Sequence, residues 1–139
     1  MYRVGERDEV VLLDDFPKMD FGAPLPQVTS DSSDLEVTYN VPGDIDAPRA
    51  RVRFHGVMAH YLGWPNEEVF VAHPLYERGL RPGDAFEVLN SSWRNELMTL
   101  NRAHRYHRDE HFAVYRHFVI PFHDETFECL AREYSVMGA

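Results

Sequence analysis

Apolar and polar positions alternate with a period of two over residues 51–62. Val52, Phe54, Met58 and Leu62 take one parity, and Arg51, Arg53 and His55 take the other. That pattern predicts a half-buried strand, and Gly56, which interrupts it, predicts a bulge. Shorter runs predict further strands at residues 10–13, 35–41 and 85–89, the last two bounded by Pro42-Gly43-Asp44 and Arg81-Pro82-Gly83-Asp84. Residues 112–122 are apolar on both parities, which suits a strand covered on both faces. Residues 127–136 read as its return strand. The intervening His123-Asp124-Glu125-Thr126 lacks glycine, so a four-residue loop built on a type I turn is expected. Residues 64–80 fit either a helix opened by Pro65 or a strand at Val69-Phe70-Val71, and both remain open.

One segment has helical periodicity. Trp93, Leu97, Leu100, His104, His107 and His111 fall in a narrow angular band, and Ser91 or Ser92 is placed to cap the first turn. The expectation is a helix over residues 93–106. Together these elements predict an α+β fold: an antiparallel sheet of about five or six strands, curled toward a barrel, with that helix packed on it. Val52, Phe54, Met58, Leu62, Trp93, Leu97 and Leu100 are expected in its core, with Phe86, Val88 and the hairpin residues Phe118, Ile120, Phe127 and Leu130. Residues 14–34, rich in Pro, Ser and Asp, read as a strap pinned by Phe16, Met19, Phe21 and Leu25.

The 139 residues suit a single domain. Residues 1–50 form an acidic strand-and-strap region and residues 51–139 a sheet, helix and hairpin body. Of the formal charge of −9, the first 50 residues carry −7, from 11 acidic and 4 basic side chains. An acidic chain without a basic run argues against nucleic acid as a partner. No apolar run approaches a membrane span, and the charged start has no secretory core, so a cytoplasmic location is the default expectation. The single cysteine, Cys129, cannot form an internal disulfide.

Candidate chemistry centres on histidine, because five of the eight lie between His104 and His123. His104 and His107 are three apart and share a helical face. With His111 and His123 they form a candidate set for a divalent metal. The alternative is that His104 bonds a neighbouring carbonyl and His107 lies in the loop beyond the helix. His117 and Arg116 interrupt an apolar strand and point to opposite faces. A strand histidine facing a cavity suits a general base, and at a sheet edge it would only be a satisfied polar residue. His104, His117 and Glu128, which faces away from Cys129, are the candidate catalytic residues. Trp93, Asn101 and Arg116 are candidate ligand-binding residues. Cys129 reads as a small buried apolar residue. Asp44-x-Asp46 has the spacing of part of a calcium loop without its other ligands.

The segments HPLYERGL (residues 73–80), EVLNSSW (87–93), NRAH (101–104) and HFVIPFHDETFECLA (117–131) resemble those of a group of small uncharacterised bacterial proteins. The resemblance spans roughly residues 51–136. It implies a bacterial cytoplasmic protein and brings no activity, cofactor or residue role. Two functions stay open: a binding or regulatory protein that recognises a protein partner or small molecule, and a small histidine-centred enzyme using the His104, His107, His117 and His123 region, with or without a divalent metal.

Overall fold

The computed structural model describes residues 1–22, 26–43 and 48–137. Leu25 and the Asp44-x-Asp46 motif fall outside them. The described chain forms β1 (Glu9–Leu13), β2 (Gln27–Ser30), β3 (Leu35–Tyr39), β4 (Ala50–His55), β5 (Ala59–Gly63), β6 (Ala85–Leu89), α1 (Ser92–Asn101), β7 (Arg116–Pro121), β8 (Thr126–Ala131) and β9 (Glu133–Met137). The strands build two antiparallel sheets, ordered β1-β6-β7-β8-β5 and β2-β3-β4-β9. The fold is α+β and dominated by sheet. The expectation of one sheet of five or six strands curled toward a barrel is corrected here, because nine strands divide between two open sheets.

The division arises at one corner. Residues 51–62 and 127–136, each expected to be a single strand, both break midway and change sheet. β4 pairs with β9 and β5 pairs with β8, so a two-stranded ribbon passes from one sheet into the other. At the bend the three residues Gly56–Met58 face the two residues Ala131–Arg132, which makes the bulge that the interrupted parity predicts. Gly56 has φ 61°, a left-handed conformation that disfavours a Cβ, and a Cβ there would sit 2.8 Å from Arg132 Cδ. Arg132 is exposed and its chain can swing aside, so the backbone term decides the outcome. Gly56→Ala is expected to lose about 1–2 kcal/mol in urea unfolding at unchanged m-value, with the fold retained.

The two sheets face each other across a core of Val37, Val52 and Phe54 from one side and Phe118, Ile120 and Phe127 from the other. Phe54 stands 5.4 Å from Phe118 and 5.5 Å from Phe127, ring centre to ring centre. Phe16, Met19 and Phe21 of the strap pack on this core, and the Tyr39 hydroxyl donates to the Pro17 carbonyl (2.6 Å). Within the strap, Gln27–Ser30 pairs with β3 as a strand that its polar composition hides.

The central strands β6, β7 and β8 of the five-stranded sheet are buried on their other face too, which explains the apolar run on both parities in β7. Residues 64–80 settle neither as a long helix nor as a strand. They form 3-10 turns at Glu67–Ala72 and Tyr76–Arg78, and they lay Phe70, Leu75 and Leu80 over Phe86, Val88 and Val119. Asn66 caps the first turn by accepting from the Val69 amide.

The helix departs most from expectation. It ends at Asn101, and none of its residues is fully buried. Leu100 is 66% exposed, and Met58, Trp93 and Leu97 are half-buried, so these four leave the expected core, while half-buried Leu62 packs against it. Only the start of α1 lies against the sheet. Beyond Asn101 the chain continues in tight turns (His104 N to Asn101 O, 2.8 Å; His107 N to His104 O, 3.1 Å), where His104 and His111 are exposed and His107 lies against Phe112. No helix among the described residues is long and apolar enough to cross a membrane.

Candidate functional site

The outer face of the central strands β7 and β8 carries His117, Val119, Glu128 and Leu130, placed together by antiparallel register (His117 opposite Leu130, Val119 opposite Glu128). Among these apolar neighbours Glu128 is 1% exposed. Three groups converge on its carboxylate: His117 Nε2 on Oε1 (2.7 Å), Tyr2 Oη on Oε1 (2.5 Å) and His73 Nε2 on Oε2 (2.8 Å).

The proton positions follow from the outer partners. The Leu75 amide can only donate, and it donates to His73 Nδ1 (3.0 Å), so His73 carries its proton on Nε2. Ser91 Oγ accepts from the Arg94 amide (3.2 Å) and lies 2.8 Å from His117 Nδ1. His117 Nε2 faces the carboxylate, which can only accept, so that nitrogen carries a proton. Glu128 accepts from all three groups and keeps its negative charge in the interior. Burial opposes that charge, but hydrogen bonds from His117 and His73, together with their charge interactions, outweigh it and hold the carboxyl down to about 2. Burial and the neighbouring Glu128 push the Tyr2 phenol well above its ordinary range, so Tyr2 remains a donor.

The segment that brings Tyr2 here is tied down along its length. The Arg78 guanidinium donates to the carbonyls of Gly5, Glu6 and Asp8. Buried Asp8 accepts from the amides of Gly5 (2.6 Å) and Ser92 (2.7 Å) and from the Ser92 hydroxyl, which fastens the segment to the start of α1. Gly5 has no room for a side chain, since a Cβ would lie 2.8 Å from Ser92 Oγ. Tyr2 then stacks on Trp93 of α1 (centroids 5.7 Å apart, planes at 15°) and meets His117 edge-on. Above these rings opens a cleft of ≈ 360 Å³, lined by Met1, Tyr2, Tyr61, Trp93, Glu96 and Glu128.

Of the candidate catalytic residues, the structure brings His117 and Glu128 together and leaves His104 apart. His104 is exposed, and its Nδ1 accepts from the Tyr106 amide. It does not close the core. His107 lies in the loop after the helix, between Asn101 and Asp109, and His111 is exposed on the 3-10 turn Asp109–His111. His123 sits at the hairpin loop beside Asp124, whose carboxylate raises its basicity. His104, His107, His111 and His123 thus have separate surroundings, and among the described residues no group of three or more His, Cys, Asp or Glu could hold a metal ion.

Of the candidate ligand-binding residues, Trp93 walls the cleft. Asn101 is exposed and bonds His107, while Arg116 pairs with Glu87 (2.7 Å) toward the other face of the sheet. His117 stands on a central strand, so the sheet-edge alternative does not apply. Cys129 is fully buried in the inter-sheet core, where burial and the neighbouring Glu128 charge push its thiol well up.

His73 and Tyr2 did not enter the sequence-based candidates. His73 lies in the conspicuous HPLYERGL segment, and the His-Pro step was the available signal. Nothing local marks Tyr2. Comparisons of the chain with family models, with curated proteins and with solved structures gave no match.

The depressed Glu128 carboxyl predicts an acid limb in stability. Its folded value lies below its unfolded value of 4.5, so the stabilisation is complete above that pH and disappears as pH falls toward 2. A thermal-melt series from pH 6 to pH 2 should show this decline, and Glu128→Gln should flatten it. Equal slopes in both proteins would place the acid sensitivity in other carboxylates.

Proposed function

We propose that the protein is a small-ligand-binding module and that its ligand seats in the cleft above Tyr2, Trp93 and Glu128. The observation that carries this reading is a hollow walled by three aromatic rings and backed by a fully hydrogen-bonded, rigidly held buried carboxylate. Catalysis is less well supported. Both nitrogens of His73 and of His117 are committed to internal partners, leaving neither ring a free lone pair for a substrate proton. The Ser91–His117–Glu128 row resembles a nucleophile relay, but Ser91 is 2% exposed and caps α1. A protein-docking role for the acidic first third has less support as well. Asp31, Asp34 and Glu36 are paired with Arg51 or Arg53, and Asp8 is buried.

Fragment screening by NMR tests the reading. Hits should shift Tyr2, Tyr61 and Trp93 together, and Trp93→Ala should weaken them by about tenfold or more, since it removes the largest apolar wall. Hits that cluster away from these residues, or a screen with none, would count against the module.

A further inference from the structure

The ionisable carboxylates of the cleft, Glu96 on α1 and Glu128 at its base, are both acidic, no other lining side chain is charged, and the one cation among the described lining residues is the amino group of Met1. Arg3 lines a separate hollow that shares Glu96. Glu128, held by Tyr2, His73 and His117, keeps a negative charge at the base of the cleft. The field of that charge, little screened by the protein around it, extends into the cleft.

The rest of the lining is aromatic. Tyr2 and Trp93 stack nearly parallel as one wall, and Tyr61, on β5 beside Glu128, supplies another ring. Tyr61 is pinned by its hydroxyl, which donates to the Trp64 carbonyl (2.9 Å). Aromatic faces carry negative potential and attract cations, Trp most strongly. Tyr2 is reinforced in this, because a phenol that donates to a carboxylate has a more electron-rich ring. An anionic ligand would meet two carboxylates here. A neutral apolar ligand would make no use of them.

We infer that the cleft takes an organic cation, an ammonium bearing alkyl groups, seated against the Tyr2, Tyr61 and Trp93 rings with Glu96 and Glu128 supplying the counter-charge. Alkyl substitution matches the rings, which offer apolar contact and no strong hydrogen-bond acceptor. A bare metal cation would instead need converging oxygen or nitrogen ligands, and the described residues provide no such group. The inference rests on the binding reading given above and narrows it to a ligand class.

The test is an NMR titration of the full chain with choline, with its neutral isostere 3,3-dimethylbutan-1-ol, and with 3,3-dimethylbutanoate. Choline should bind about tenfold or more tightly than the alcohol, with shifts centred on Tyr2, Tyr61 and Trp93. The carboxylate should bind most weakly. Glu96→Gln, an exposed substitution that leaves the fold intact, should weaken choline by about two- to fivefold and leave the alcohol unchanged. If the alcohol or the carboxylate binds at these rings as tightly as choline, the cation class is wrong while the binding module stands. If none of the three probes shifts these rings, the cation inference falls. Fragment hits at the same rings would then still uphold the module, and their absence would remove both.

Discussion

Glu128→Ala is expected to destabilise the protein by about 3–5 kcal/mol, the cost of removing one partner from a buried charged cluster. The substitution leaves His73 Nε2–H, His117 Nε2–H and Tyr2 O–H without their acceptor. Each abandoned buried donor costs about 1–3 kcal/mol, and relaxation around the small cavity keeps the total below the sum. Glu128→Gln should cost less than half as much. His73 cannot change tautomer, because the Leu75 amide holds its Nδ1, so the glutamine oxygen must face His73. His117 can, because the Ser91 hydroxyl is free to turn and accept, and the glutamine NH2 can then donate to His117. Urea unfolding of the two variants provides the comparison. An alanine variant within about 1 kcal/mol of the parent would mean that the three contacts do not hold in solution.

Phe54→Ala should produce a loss of similar size by a different mechanism. Phe54 is completely buried and touches Phe118, Phe127, Phe16 and Tyr134 across the inter-sheet core. Removing its ring forfeits apolar burial and leaves a cavity, for about 3–5 kcal/mol. Typical domains have about 5–15 kcal/mol in total, so this variant would stand near the limit of folding at 25 °C. Phe54→Leu should cost clearly less. Its separate value is positional: Phe54 lies on one side of the five-stranded sheet and the cleft on the other. A folded Phe54→Leu protein should therefore keep the ligand affinity of the parent, whereas Glu128→Gln should lose both stability and affinity. Equal affinity losses in the two would show that the cleft is not mechanically independent of the core.

Several features were legible in the sequence because they are local. Alternation placed Val52 and Phe54 inside, Gly56 announced the bulge, and a run apolar on both parities marked β7 as covered on both faces. The sheet switch at the corner was not legible, because it depends on β4 meeting β9 and β5 meeting β8, and parity continues through a bend. The histidine stripe misled for a related reason. Helical spacing shows which side chains share a face, but not whether anything covers that face, and Leu100 stays largely exposed. For the site, His117 and Glu128 stood out as polar residues within an apolar hairpin. Their partners did not, since His73 is 55 residues from Glu128 and Tyr2 is 126 away.

The Tyr2–Glu128 contact also bears on how the protein is made. Synthesis proceeds at about 5–20 residues per second, so Tyr2 emerges from the ribosome roughly 6–25 s before its partner. Until β8 is threaded between β7 and β5, the buried carboxylate has no shelter and the opening segment has nothing to close against. The proposed ligand cleft therefore needs both ends of the chain in place. A nascent or truncated chain that lacks the final hairpin can contain most of the strands and still present no cleft.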